Sequence, residues 1–308
     1  MELPPELIHH IQSYLLLNNF KRSILVAKDF SLAKYANLVN WNGSLLPQYI
    51  INVIPNERVF DKHLLQNLHI KHLYILYDTI SDVGIEGLDL TSLCLFKGAN
   101  ISDQGIRNMK HIKTLWLGTS SITEQGISHL KLQTLLLGQN SNVSEKYINS
   151  LHTLENLGLT KNSNIGTLSN KNIKKLELKA ILPKLETLQL KSLHCVLCKV
   201  DDGYLQKLPN LEKLVIVMNI GNVSDDGISG LIKLRILNVS GNVITDEGIS
   251  KLTNLRHLTL RKNEKVTNQG LFRLNHLETV HVDPKSPITG EELGLKVFKK
   301  GNKSVPGN

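Results

Sequence analysis

Aromatic side chains make up only 5% of this 308-residue sequence, so the few that fall on outward positions are informative. Cysteine is scarcer still. Cys94, Cys195 and Cys198 are too few and too unevenly spread for a disulfide framework, and they point to a reducing compartment. No apolar run approaches the roughly 20 residues needed to cross a bilayer. The first residues carry prolines and acids where an export signal needs a basic start and an apolar stretch. The expectation is a soluble intracellular protein, cytoplasmic or nuclear. Catalytic phrases are missing too: there is no glycine-rich phosphate loop, no nucleophile elbow and no helix with paired metal-binding histidines. The adjacent His9 and His10 read as surface residues. The sequence therefore predicts a non-catalytic protein that needs neither cofactor nor metal.

The net charge of +9 is uneven. Residues 1–60 hold five basic and four acidic side chains, and the stretch from residue 295 adds four lysines without an acid. The body between them keeps only +4. A nucleic-acid binder concentrates charge on its folded face, so that class is disfavoured.

One phrase recurs eleven times: apolar, two variable residues, leucine, one variable residue, apolar. It occupies 70–75, 90–95, 112–117, 132–137, 154–159, 173–178, 185–190, 211–216, 234–239, 255–260 and 277–282. Steps between the central residues run 20, 22, 20, 22, 19, 12, 26, 23, 21 and 22. A unit this short buries its apolar edge only against a neighbouring copy, so the pattern dictates a solenoid. Alternation within the phrase predicts a strand with leucines inward and variable residues outward. An asparagine follows the strand at positions 140, 162, 219, 242 and 263, where its carboxamide can satisfy backbone groups as the chain turns. A helix start comes next, as in Ile101, Ser102, Asp103, Gly105 and Ile106, with the serine as cap and the acid at the positive helix end. Helices of two or three turns are expected, the glycine letting each lie close to the sheet. The fold class is α/β: a leucine-rich-repeat horseshoe, concave parallel sheet inside and helices outside. The units span 70–293, irregular at 176–214, with a connector and cap at 42–69 and a basic tail at 294–308.

The irregular stretch holds His194, Cys195 and Cys198. Three potential ligands fall short of the four that a structural zinc site uses, so buried thiols are the preferred reading. The 12-residue step leaves no room for a helix between Leu178 and Leu185.

Residues 1–41 do not repeat. Leu7, Ile8, Ile11 and Leu15 share a helical face behind Leu3 and Pro4, and further helical segments begin at Phe20 and Leu32. The order Leu3, Pro4, Glu6, Leu7, Ile8, Ile11, then Val26, Lys28, Phe30 and Trp41 resembles the F-box. Ala27 and Phe30 stand where that family has cysteine and tryptophan, and Asn18 and Asn19 where an acid is common. The repeats, with their Thr-Asp-x-Gly phrases, closely resemble those of F-box and leucine-rich-repeat proteins. The resemblance implies a three-helix F-box, with Leu3, Pro4, Glu6, Leu7, Ile8, Ile11, Val26 and Lys28 on the Skp adaptor and a cullin beyond it. It implies a substrate receptor of a Skp–cullin–F-box ubiquitin ligase, with the chemistry left to other subunits. Two alternatives remain: residues 3–41 as a plain helical cap, and a leucine-rich-repeat scaffold or inhibitor with no ubiquitin role.

The outward columns nominate the partner site. Tyr74, Leu76, Phe96, Trp116 and Leu136 lie on the first four strands, an aromatic cluster of the kind that anchors protein interfaces. Lys179 and Lys191, with Lys175, Lys213 and Arg261, fall on outward positions farther along and would suit an acidic or phosphorylated segment.

Overall fold

Successive residues of a strand point to opposite faces, so the central leucine and the apolar residue two positions later share the inner face of the sheet. In the computed structural model Leu115 and Leu117 are fully buried and Trp116 between them is half-exposed. The structure describes residues 71–75, 81–138, 142–161, 165–186, 188–241, 243–289, 294 and 296–299, with 37–38 and 52–53. For 37–38, 52–53, 74, 96–99, 119 and 296 it describes backbone alone.

The main strands are His72–Ile75, Ser92–Ala99, Thr114–Ser120, Thr134–Leu137, Asn156–Thr160, Lys175–Lys179, Ser192–Val196, Lys213–Val217, Ile236–Ser240, His257–Arg261 and Thr279–Val282. They lie side by side in chain order in one parallel sheet. The two-residue strands Asn37–Leu38 and Asn52–Val53 precede them, and Lys296–Lys299, in the stretch read as a basic tail, follows. The central residues form one register column: Leu73, Leu93 and Leu115 pair in turn, as do Leu214, Leu237 and Leu258. The core is a continuous ridge behind this sheet, in which each buried leucine contributes about 1.5–3 kcal/mol relative to exposure.

Behind the sheet the helices are single turns, not the two or three turns expected. They are Asp82–Ile85, Asp103–Ile106, Glu124–Ile127, Glu145–Ser150, Asp202–Leu205, Asp225–Ile228, Asp246–Ser250 and Asn268–Leu271. A unit of about 21 residues is used up by strand, two turns and the return path. The chain leaves each helix at once through bonds such as Met109 N–H to Ile106 O, 3.0 Å.

The acid at the first helical position does more than face the helix end. Asp103 accepts the backbone N–H of Thr123 at 2.8 Å and its hydroxyl at 2.6 Å, and that hydroxyl accepts the N–H of Gln125 at 3.2 Å. Asp82 does the same for Ser102, Asp202 for Ser224, Asp225 for Thr245 and Asp246 for Thr267. In these five places the carboxylate of one unit thus holds the cap of the next. The recurring glycine serves this ladder rather than a close approach to the sheet. A Cβ on Gly126 would lie 2.1 Å from Asp103 Oδ1, and one on Gly248 2.2 Å from Asp225 Oδ1.

The seventh unit departs from the expected register. Lys184–Leu185 leaves the main sheet and pairs with Thr167–Leu168 in a small parallel sheet of its own. The seventh strand is Ser192–Val196, between Lys175–Lys179 and Lys213–Val217. Its phrase runs Leu190, Leu193, Cys195, and the thiol, which behaves as a small apolar group, fills the third inward position with no exposure. The central step becomes 17 residues followed by 21, which gives the chain room to pass around the core. No helix lies between Leu178 and Leu185, in agreement with the short spacing.

The helical reading of residues 32–39 fails at Asn37–Leu38, which pairs in parallel with Asn52–Val53, itself paired with the strand at His72. The sheet therefore reaches into the segment assigned to the F-box. The adaptor positions Leu3, Pro4, Glu6, Leu7, Ile8, Ile11, Val26 and Lys28 lie outside the described residues.

Candidate protein-binding face

Register pairing sets Tyr74, Cys94, Trp116, Leu136 and Gly158 side by side at the middle outward position of five consecutive strands. Phe96 lies two residues beyond Cys94 on the same strand, and Leu76 lies outside the described residues. Outward positions on the inside of a curved sheet are crowded, and it shows here. Cys94 is only 2% exposed, and burial pushes its thiol up to about 12. Leu136 lies over the neighbouring strand, since a Cβ on Gly158 would come within 2.3 Å of its Cδ2. Trp116 and Leu136, both half-exposed, form a ridge.

Beside that ridge, two residues on, the backbones of Gly118 and Gly138 pack directly. Gly138 N–H reaches Leu117 O at 2.6 Å, and a Cβ on Gly138 would meet Gly118 Cα at 2.7 Å. The half-buried ring therefore lies next to a strip with no side chains. These glycines were legible as part of the outward columns, but only the strand register shows that they flank Trp116.

The basic residues do not form one cluster. Lys179 is exposed at the exit of its strand. Lys175 pairs with Glu177 at 2.9 Å. Lys191 is displaced by the register change: it precedes the strand Ser192–Val196 at its entry edge and pairs with Glu212 at 3.1 Å. It is therefore not on the outward position assigned to it, and His194 takes the middle place between Glu177 and Val215.

Cys198 stands five residues after Leu193, where Asn219 and Asn263 stand after Leu214 and Leu258. Like Asn263, which donates to Ile244 O at 2.9 Å, the Cys198 thiol donates inward, to Ile181 O at 3.2 Å. A hydrogen bond with Cys198, and then burial, push the Cys195 thiol well above its ordinary range. Among the described residues no three His, Cys, Asp or Glu side chains form a group that could hold a metal ion. No described helix is long and apolar enough to cross a membrane.

No family model matches this chain and no curated protein matches it. Among solved structures, the mouse RP105/MD-1 complex is similar over 82% of this chain and 52% of that one, at 15% identity and a TM-score of 0.51. An internalin (inlF) from Listeria monocytogenes covers 83% of this chain and 74% of its own, at 23% identity and a TM-score of 0.43. The yeast Rad7 and Elc1 complex covers 72% and 84%, at 15% identity and 0.37. At these identities the likeness is one of fold. The RP105/MD-1 match and the register of this chain's own strands agree on the fold, a leucine-rich-repeat solenoid.

Proposed function

We propose that this chain is the substrate-recognition subunit of a Skp–cullin–F-box ubiquitin ligase. Leu3, Pro4, Glu6, Leu7, Ile8, Ile11, Val26 and Lys28 dock on the Skp adaptor, which carries the cullin. The concave face holds a target protein, with Trp116 and Leu136 at its centre, Tyr74, Leu76 and Phe96 beside them, and Lys179 as a cation farther along. The contribution to ubiquitin transfer is local concentration and orientation, and the covalent steps belong to other subunits. The observation that carries the target-binding half is the ridge of Trp116 and Leu136 beside the bare backbone at Gly118 and Gly138. A half-buried aromatic beside a strip of strand without side chains offers an anchor for a partner.

The adaptor half is tested by co-purifying the full-length chain with the Skp adaptor, and by a Leu7→Ser/Ile8→Ser variant whose folding is checked by circular dichroism. Binding at micromolar concentration that the variant loses is the expected result. A folded wild-type protein with no adaptor affinity would falsify this half.

One observation favours a second reading, a repeat scaffold without a ubiquitin role. The strand at Asn37–Leu38 leaves less chain for a separate helical domain than the motif spacing assumes. On that reading the adaptor experiment gives no complex while partner capture by the concave face persists.

A further inference from the structure

Between Leu90 and Leu154 the sequence holds three acidic side chains, Asp103, Glu124 and Glu145, each at the first position of a helix behind the sheet. The next unit engages all three. Asp103 is held at Thr123, Glu124 accepts the N–H and hydroxyl of Ser144 at 3.1 and 2.6 Å, and Glu145 accepts the N–H groups of Gly166 and Thr167 at 2.9 and 2.7 Å. Six basic side chains occupy the same stretch, and two of them, Lys113 and Lys131, stand at the entry edge of the strands. Lys113 directly precedes the strand Thr114–Ser120, and Lys131 lies three residues before Thr134–Leu137. The two segments are neighbours, since Gln133 N–H donates to Lys113 O at 2.8 Å. Both lysines are exposed, and neither makes an ion pair among the described residues.

The acids that bound this edge are engaged as well. Asp89, one unit back, holds both Lys71 and His111, and Glu155, one unit on, pairs with Lys174 at 2.6 Å. Lys110 differs from the other two lysines. It lines a groove together with Asp89 and the exposed Glu86, so carboxylates are already among its neighbours. Lys113 and Lys131 are thus the cations open to a partner at this edge.

The strands that begin here are the two that carry Trp116 and Leu136. Thr114 and Thr134 are partners at their start, half-exposed, and the Thr134 hydroxyl accepts from the Asn156 amide at 3.1 Å. Trp116 and Leu136 follow two residues on, and Gly118 and Gly138 two beyond. The surface of this strand pair is therefore graded, from cations through hydroxyls and an apolar pair to bare backbone. Three residues at about 3.3 Å each put Lys113 about 10 Å from Trp116 along the strand. A polyanion such as a nucleic acid would carry charge over the apolar pair as well as over the lysines, which desolvation disfavours. A polypeptide with an acid on one side of an apolar residue matches the whole gradient.

We propose that Lys113 and Lys131 extend the Trp116 and Leu136 site into a docking groove for an extended segment of the target, with an acidic residue on one side of an apolar one. The segment lies along the strands. Its apolar side chain rests against Trp116 and Leu136, and its carboxylate, about three residues away, meets Lys113 and Lys131. The proposal rests on the reading of Trp116 and Leu136 as the centre of the target site, and not on the F-box.

The test pans a displayed library of random dodecapeptides against the full-length protein. Enriched peptides are then measured against wild type, Lys113→Glu/Lys131→Glu and Trp116→Ala. Lys207→Glu/Lys265→Glu serves as a control, an equal change of charge at exposed positions in distant units. Circular dichroism checks that each variant is folded. Enriched sequences should carry Asp or Glu on one side of an apolar residue. The Lys113→Glu/Lys131→Glu variant should bind them at least about tenfold more weakly, and peptides with that acid changed to lysine should recover binding to it. The control should bind as wild type does, and Trp116→Ala should bind more weakly. No enrichment, enriched peptides without acids, binding undiminished by the charge reversal, no recovery by the lysine peptides, or an equal loss in the control would each overturn the acidic groove. A loss in Trp116→Ala without a loss on charge reversal overturns the groove and leaves the Trp116 site standing. A loss on charge reversal without one in Trp116→Ala overturns both.

Discussion

Gly126 and Asp103 behave as one unit although they belong to different repeats. A Cβ on Gly126 would lie 2.1 Å from the carboxylate oxygen that holds Thr123. Gly126→Ala gains about 1 kcal/mol of helix propensity, but overpacking of this kind costs about 1–3 kcal/mol and expels the carboxylate from its hydrogen bonds. We expect a net loss of about 1–2 kcal/mol by urea denaturation. In an Asp103→Ala background the same substitution should turn neutral or favourable, a coupling that a double-mutant cycle reads directly. Tyr204 offers the opposite sign. Its hydroxyl is buried with no hydrogen-bond partner among the described residues, and burial holds its pKa well above the ordinary range. Tyr204→Phe should therefore be neutral or stabilising by up to about 1 kcal/mol, whereas a loss of stability would reveal a partner for the hydroxyl. Trp116 is half-buried rather than freely exposed. Trp116→Ala should thus lower stability by about 1–2 kcal/mol, less than a fully buried ring would, while weakening target capture by about 30-fold.

At the scale of the element, a four-residue helix has almost no intrinsic stability, since nucleation outweighs a single turn of hydrogen bonds. These helices persist because they are capped from within and held by the preceding unit. Glu124 illustrates the consequence for pH. The Ser144 hydroxyl and backbone N–H both donate to it and hold its pKa below the ordinary carboxylate value. A carboxylate whose folded pKa is lowered stabilises the fold above its unfolded pKa and loses that contribution as pH falls through the folded one. Stability should therefore decline below about pH 4.5 with a part that Glu124→Gln removes. Comparing the two proteins by denaturation at pH 7 and pH 3 tests this, and identical slopes would sink it. The same reasoning corrects the expected helix length. Apolar spacing shows that a segment turns back toward the core, but the length of the return path is set by the perimeter of the solenoid.

For the whole molecule, stability is close to a sum of unit terms and nearest-neighbour interfaces. Breaking one link of the ladder should accordingly uncouple the units on either side of it instead of melting one site. Asp103→Ala is expected to accelerate amide exchange across the units on either side of Thr123 more than in the distant strands His257–Arg261 and Thr279–Val282. Uniform acceleration along the chain would mean that the solenoid unfolds as a single block.

The period of leucines, the inward and outward alternation and the serine or threonine caps were legible in the sequence because each is a local pattern imposed by strand or helix geometry. Trp116 and Leu136 were legible as outward neighbours for the same reason. Three features were decided only by tertiary packing. Leu190 can close one phrase, with Leu185 and Leu188, or open the next, with Leu193 and Cys195, and the need to carry a strand around the core selects the second, moving Lys191 off the face. The recurring glycines look like contacts with the sheet until the carboxylate of the preceding unit is in place. Leu197 (φ 55°) and Met218 (φ 53°) look like ordinary apolar residues until the left-handed backbone at the strand exit leaves them exposed. Local periodicity reports which face a residue belongs to. Which neighbour it meets depends on how one unit stacks on the next, and only the assembled solenoid contains that information.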